Sequence, residues 1–125
     1  MTEREKIIKN YIVGYNEFDT DKMVTDLDDN IIFENIQNGV TNRSLTGLKA
    51  FRQQAEQAKA YFSERTQTIK SFKHSDNVTE IEIDYNAILG IDFPNGLQAG
   101  QELNLSGKSI FVFKADKIIK LTDIS

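Results

Sequence analysis

Apolar residues in the first quarter of the chain recur every three or four positions, the spacing of one face of a helix. This stripe predicts a first helix from about Glu3 to Glu17, and Thr2 with Glu5 forms a capping box at its start. Gly14 lies inside it, where glycine either weakens a helix or allows a close neighbour. The apolar residues of the stripe are Ile7, Ile8, Tyr11, Ile12, Tyr15 and Phe18.

Two further helices are predicted by the same spacing. A short one, capped by Asp19 or Thr20, carries three apolar residues, and the run Asp28-Asp29-Asn30 ends it. Another one is capped by Thr46. The apolar residues are Met23, Val24 and Leu27 in the short helix, and Leu48, Phe51, Ala55, Ala58 and Phe62 in the other.

From residue 64 onward the apolar spacing changes from three or four to two, which is the period of a strand. Gln37 to Ser44 is polar and predicts a loop or a short hairpin, and Gly90 to Gly100 predicts a long hairpin loop. Strands are predicted at Ile31–Ile36, Thr66–Phe72, Val78–Leu89 and Leu103–Lys114, with a turn at residues 74–77 and a last strand from Lys117.

The last strand carries a carboxylate. Alternation places Ile119, Leu121 and Asp123 on one face, and the two apolar residues require a core. A carboxylate drawn into an apolar interior usually has a partner or a function. The alternative is a solvent-exposed acid at a frayed chain end, two residues before Ser125.

Helices first and long antiparallel strands afterwards predict an α+β fold with the helices on one face of the sheet. At 125 residues the chain forms one domain, residues 1–125, with no room for a second core. A strongly curved sheet around a long helix would make a cone with a cavity inside.

Composition excludes several classes of function. The chain has no cysteine, and a balance of 15 basic against 19 acidic residues gives a net charge of −4. Thiolate chemistry and cysteine zinc sites are therefore excluded, and neither a nucleic-acid partner nor a membrane partner is expected. A cytoplasmic protein is the expectation. His74 is the only histidine and lies in a turn signal, so no metal or other cofactor is predicted.

Several short segments resemble the nuclear transport factor 2-like superfamily, in particular its SnoaL-like branch. They are Tyr11 to Asp19 (YIVGYNEFD), Leu27 to Asn35 (LDDNIIFEN), Leu45 to Phe51 (LTGLKAF), Gly107 to Phe113 (GKSIFVF) and Asp116 to Asp123. The resemblance implies a cone-shaped α+β barrel in which three helices pack on a curved, mostly antiparallel sheet. It also implies a homodimer through the sheet and a cavity for a small hydrophobic molecule.

Two enzymes of the superfamily suggest roles for individual residues. In ketosteroid isomerase a first-helix tyrosine helps to form the oxyanion hole, and Tyr11 resembles it. The base of that enzyme falls on Asn35, and its second donor falls near Ser109. An amide cannot take a proton from carbon at neutral pH, so the usual isomerisation is not expected.

The second enzyme, limonene epoxide hydrolase, activates water with an asparagine and two aspartates. The resemblance places Asn35, Asp84 and Asp123 at those positions. Phe33 replaces a tyrosine of that enzyme, and Glu82 replaces the arginine that would hold the two carboxylates at different pKa values. Asp123 and Asp84 are therefore the candidate catalytic residues.

The position of Asp84 remains open at this point. Alternation allows either of two faces of its strand to line the interior. The two sets are Ile81, Ile83, Tyr85 and Ala87 on one side, and Glu80, Glu82, Asp84 and Asn86 on the other. The candidate ligand-binding residues are Asn35, Tyr11, Tyr15, Phe33 and Phe51.

Two functions follow from this pattern. One is a small enzyme, either an isomerase, a cyclase or a water-activating hydrolase, acting on an apolar molecule that bears oxygen. The other is a non-catalytic module that binds a small hydrophobic ligand, which the missing base aspartate and arginine favour. A dimeric scaffold for protein recognition is a third possibility, although no exposed interaction motif is visible.

Overall fold

A computed structural model describes all 125 residues, and it contains three α-helices and six strands. The helices are α1 (Glu3–Asn16), α2 (Thr20–Val24) and α3 (Leu48–Ala58), and α3 is followed by a 3-10 turn at Lys59–Tyr61. The strands are β1 (Leu27–Gln37), β2 (Val40–Thr46), β3 (Phe62–Ser75), β4 (Val78–Leu89), β5 (Glu102–Lys114) and β6 (Lys117–Ile124).

The start of α1 and its contact with α2 follow from the local sequence. The backbone N–H of Glu5 donates to the Thr2 hydroxyl at 3.2 Å, and Asp19 caps α2 by accepting from the Lys22 N–H at 3.0 Å. A side chain at Gly14 would lie 2.8 Å from the backbone nitrogen of Met23. Gly14 therefore allows the close approach of α2 that the sequence analysis considered.

The predicted cap of α3 is wrong. Thr46 is the last residue of β2, and Gly47 precedes the helix with a φ of 95° and no side-chain cap. A positive φ is readily adopted only by glycine, so the turn from β2 into α3 depends on Gly47 rather than on a threonine hydroxyl. Of the loop or short hairpin predicted at residues 37–44, the structure has the hairpin, with β2 as its second strand.

The six strands form one sheet in the order β2-β1-β6-β5-β4-β3. All neighbours are antiparallel except β1 and β6, which run parallel, so the prediction of a mostly antiparallel sheet is confirmed. β1 begins at Leu27, earlier than predicted, and includes the Asp28-Asp29-Asn30 run. The long loop between β4 and β5 is also where the sequence predicts it.

A bulge in β6 changes which residues face the core. Lys120 pairs with Val112, but Ile118 pairs with the next residue, Phe113, so Ile119 is the extra residue. Ile118 and Leu121 are therefore both fully buried, whereas Ile119 is only partly buried. The predicted partnership of Ile119 with Leu121 is wrong, because a bulge shifts the alternation by one position.

The helices cover one face of the sheet, and the core lies between them. The largest side chains with almost no exposure belong to both layers: Ile8 from α1, Ile31 from β1, Ile81 and Leu89 from β4, Phe111 from β5, and Ile118 and Leu121 from β6. The opposite face of the sheet is not uniformly apolar. Its central β4 side chains are Glu80, Glu82, Asp84 and Asn86.

Candidate functional site

A cavity of about 450 Å³ lies between the helices and the inner face of the sheet, a size typical of small-molecule pockets. Sixteen residues line it, and ten of these are hydrophobic. Its aromatic wall consists of Tyr11, Tyr15, Phe33, Phe51, Tyr61 and Phe62. The cavity is therefore lined mainly by aromatic and other apolar side chains. Its polar lining residues are Asn35, Asn42, Arg43, Gln54, Arg65 and Asp123.

Asp123 is the only acidic residue among those that line this cavity. The register of β6 places it beside Asn35 on β1 and beside Ser109 on β5. The Ser109 hydroxyl donates to Oδ1 of Asp123 at 2.7 Å. Burial raises the pKa of Asp123 to about 6, and the hydrogen bond from Ser109 opposes this rise because it favours the charged form.

Tyr11 lies close enough to this carboxylate for its charge to act on the phenol, and it lines the same cavity. Its side chain is buried, and its ring packs edge-on against Phe111 at 5.9 Å and tilted against Phe51 at 6.4 Å. Burial, together with the charge of Asp123, raises the pKa of Tyr11 well above its ordinary value. The phenol therefore stays protonated at neutral pH and can donate a hydrogen bond to a ligand oxygen.

Tyr15 lies one helical turn further along α1 and also lines the cavity. Its hydroxyl is 2.8 Å from the hydroxyl of Tyr85 on β4. Burial raises the pKa of Tyr15, so its hydroxyl also remains protonated. Because this hydroxyl already has a partner inside the protein, Tyr15 offers a ligand mainly its ring.

Asn35, Phe33 and Phe51 occupy the wall between β1 and α3. The Asn35 amide donates to the Asn42 side-chain oxygen at 2.8 Å, across the β1–β2 hairpin. Phe33 and Phe51 pack edge-to-face at 5.7 Å. All three line the cavity, so the structure brings every predicted ligand-binding residue to the same space as Asp123.

Asp84, the other predicted catalytic residue, does not reach the cavity. It lies on the outer face of β4, half exposed, with Oδ2 3.4 Å from Nζ of Lys70. The inner face of β4 belongs to Ile81, Ile83 and Ala87, which are buried. The pairing of Asp84 with Asp123 is therefore wrong, since burying the apolar side of β4 turns its acids to solvent.

Arg65, on β3, is a charged residue of this site that the sequence did not predict. Its side chain is 3% exposed and lines the cavity. The guanidinium carbon lies over two aromatic rings, 3.8 Å from the centroid of Tyr15 and 4.3 Å from that of Phe18. Its Nε donates to the Tyr15 carbonyl at 2.8 Å, at the end of α1, while Nη2 is buried without any partner.

His74 lies away from the cavity. Its ring stacks on Phe72, and its two nitrogens contact the Thr79 hydroxyl at 2.9 Å and the Glu5 carboxylate at 2.7 Å. β3 continues through this residue, so the turn is shorter than predicted and begins at Asp76.

No group of three or more His, Cys, Asp or Glu side chains is arranged to hold a metal ion. None of the helices is both long and apolar enough to cross a membrane.

Comparison with known proteins gives matches among solved structures only. No family model matches the sequence, and no curated protein matches it. A SnoaL-like protein from Jannaschia, assigned as a polyketide cyclase, superposes with a TM-score of 0.82 at 7% identity, over 97% of this chain and 83% of that one. An NTF2-like protein of unknown function from Burkholderia pseudomallei superposes with a TM-score of 0.79 at 10% identity, over 98% and 90%.

The chain has the nuclear transport factor 2-like fold. This confirms the cone-shaped α+β architecture that the sequence motifs implied. A third match is TerC, co-crystallised with polyporic acid, with a TM-score of 0.78 at 9% identity over 98% of this chain and 91% of that one. Because these identities are low, the similarity concerns the fold, and function has to be argued from the cavity itself.

Proposed function

We propose that the protein binds a small, largely apolar molecule bearing oxygen in this cavity, and that Asp123 exchanges a proton with it. The observation that carries the proposal is that Asp123 is the single acid of a cavity lined mainly by apolar side chains, with its pKa raised to about 6 by burial. A base of this strength is well suited to proton transfer near neutral pH. TerC, which shares the fold, was crystallised with a small organic acid, and this also supports a small ligand.

In this proposal each residue has a distinct role. Asp123 accepts a proton from an acidic carbon or from a water molecule held beside the ligand. The phenol of Tyr11 donates a hydrogen bond to the ligand oxygen that gains negative charge, as in an oxyanion hole. Asn35, next to Asp123 across the parallel strands, orients the ligand or the water. Isomerisation, cyclisation and water-activated hydrolysis all begin with such a step.

A non-catalytic binding module is the second candidate. One observation favours it: Asp123 is the single acid of the cavity, because Asp84 lies on the other face of the sheet. Chemistry that requires separate acid and base groups would then depend on Tyr11 as the acid. A phenol with a pKa raised well above its ordinary value is a weak proton donor, although it remains a good hydrogen-bond donor.

A ligand screen tests the proposed function. We expect lipophilic ketones and carboxylic acids to raise the melting temperature in a saturable way, since they bind only the native state. NMR spectra of each stabilising compound, recorded with and without protein, then distinguish turnover from binding alone. Stabilisation without any chemical change would support the binding module.

Two phenylalanine substitutions serve as a matched pair for this screen. Ala58→Phe fills the cavity from its α3 wall and should abolish the ligand-induced shift. Ala60→Phe adds the same ring at an exposed position two residues away and should retain the shift. Equal shifts in both variants would place the ligand elsewhere and contradict the proposal.

We also propose that the protein is a homodimer through the outer face of the sheet. The fold resemblance supports this, as do Ile110 and Val112, two partly buried apolar residues on the outer side of β5. Because the β4 part of that face is acidic and polar, such a dimer would have a mixed interface. Sedimentation equilibrium at micromolar concentration should give twice the mass of the 14.2 kDa chain, and a monomer would contradict the proposal.

A further inference from the structure

Arg65 is a buried cation without an acidic partner. A charged side chain removed from water is costly unless it is paired, and an arginine cannot escape this cost by losing its proton. Buried arginines therefore normally face a carboxylate. Here Arg65 as a whole residue is 3% exposed, and the one hydrogen bond of its guanidinium runs from Nε to a backbone carbonyl.

Part of this arrangement has a structural explanation. The last turn of α1 contains no basic residue, and the Tyr15 carbonyl at that end accepts from Nε of Arg65. Arg65 thus supplies, from β3, the positive charge that a helix C-terminus favours. The rings of Tyr15 and Phe18 pack against the guanidinium and stabilise it further by cation–π contacts.

The rest of the guanidinium is not explained by these contacts. Nε has a partner, and two aromatic rings pack against the guanidinium, but Nη2 is buried and donates to nothing in the protein. The same side chain lines the cavity. A bound molecule that presents an acceptor to the guanidinium from the cavity would supply a partner that the protein does not provide, and a negatively charged acceptor would also compensate the buried charge.

We infer that the ligand of this cavity is an organic acid whose planar oxyanion, a carboxylate or an acidic enolate, is bound by Arg65. This inference rests on the proposed function, since it names the chemical class of the molecule that the cavity binds. The apolar body of the ligand would lie against the aromatic wall. Its reactive oxygen would lie near Tyr11 and Asp123.

Arg43 is the other basic residue that lines the cavity, and it is the rival for such an oxyanion. It differs from Arg65 in two respects. Arg43 is exposed to solvent, and its Nη1 already donates to the Gln54 side chain at 2.7 Å. Water screens an exposed charge, so Arg43 has less to gain from an anionic ligand.

A pair of probes that differ only in charge tests the inference. We would measure the binding of 2-naphthoate and of its neutral isostere 2-naphthamide by isothermal titration calorimetry at pH 7.5. The wild-type protein should bind the carboxylate about 10- to 100-fold more tightly, as expected for a charge-assisted hydrogen bond in a buried site. Arg65→Gln should remove this preference while changing the affinity for the amide by less than about threefold.

Two further variants separate the role of Arg65 from nonspecific charge effects. Arg52→Gln makes the same exchange at an exposed α3 residue that pairs with Asp21 outside the cavity, and it should retain the preference. Arg43→Gln should also retain most of it. If Arg43→Gln removed the preference and Arg65→Gln did not, the assignment to Arg65 would be overturned.

Arg65→Gln could fail to fold, because α1 would lose its C-terminal partner. The relative affinities of the wild-type protein for the two probes still test whether the cavity prefers an anion. Equal affinities for the two probes would overturn the inference about the anion and leave the proposed function intact. Binding of neither probe, with no stabilising compound in the wider screen, would overturn the proposed function and the inference together.

Discussion

Asp123→Asn should abolish proton transfer and at the same time stabilise the native state at pH 7.5. An amide cannot accept the proton, so turnover of any compound transformed by the protein should fall by about 10²- to 10⁴-fold. The amide oxygen can still accept the hydrogen bond from Ser109, and its size matches the carboxylate. Turnover should fall while stability rises, because the burial that makes Asp123 a stronger base also raises the free energy of its charged form.

The size and the pH range of this stabilisation follow from the pKa. Burial raises the pKa of Asp123 from 3.8 to about 6, so the native state holds this proton more tightly than the unfolded chain. The stability that the group contributes is complete below pH 4 and is lost as the pH rises to 6 and beyond. A shift of about two pKa units corresponds to at most ~3 kcal/mol.

Urea denaturation from pH 4 to pH 7.5 measures this effect. Wild type and Asp123→Asn should have similar free energies of unfolding at pH 4, where the native carboxyl is protonated, and should diverge by about 1–3 kcal/mol at pH 7.5. Asp84→Asn is the matched control, because that acid lies outside the cavity beside Lys70. If the free energies of unfolding differed equally at both pH values, or if Asp84→Asn gave the same difference, the raised pKa assigned to Asp123 would be contradicted.

Phe111→Ala should cause the largest loss of stability. Phe111 is completely buried, and its cross-strand neighbours Thr79 and Leu121 are equally buried. Its ring also supports Tyr11 in an edge-on contact at 5.9 Å. Removing a fully buried phenylalanine ring typically costs about 3–5 kcal/mol, a large part of the stability of a domain this size.

Chemical denaturation of Phe111→Ala gives this loss directly. Phe93→Ala is the matched control, since Phe93 is half-buried in the β4–β5 loop and contacts Tyr61 at 5.8 Å. We expect it to cost about 1 kcal/mol or less. Because Tyr11 loses its support in Phe111→Ala, the binding of any ligand should also weaken. A loss below 1 kcal/mol for Phe111→Ala would mean that this part of the interior is loosely packed.

The periodicity of the sequence was sufficient to predict the main elements. Helical spacing from Ile7 to Tyr15 and the twofold alternation of β4 both reflect burial of one face, which dominates the choice of local structure. The same alternation left open which face of β4, that of Ile81 and Ile83 or that of Asp84, lines the interior. The resemblance to an epoxide hydrolase favoured the face of Asp84, but burial of the apolar face prevailed.

Other features could not be predicted from the spacing of apolar and polar residues. The bulge at Ile119 depends on how β6 pairs with both of its neighbours, and a single strand read by itself does not reveal such pairing. Arg65 and Gln67 are buried on the inner face of β3, although polar side chains of a strand are normally expected to face solvent. Its burial depends on the carbonyl of Tyr15 and on two aromatic rings that only the fold brings to it.

A carbon-13 NMR titration of the aspartate side-chain carboxyls tests most directly whether burial beside the cavity raises the pKa of Asp123. The Asp123→Asn spectrum assigns the signal by its disappearance. We predict a titration midpoint near pH 6 for that carboxyl. A midpoint near the ordinary 3.8 would mean that the side chain is hydrated like a surface acid, and it would contradict both the enclosed site and the proton transfer assigned to it.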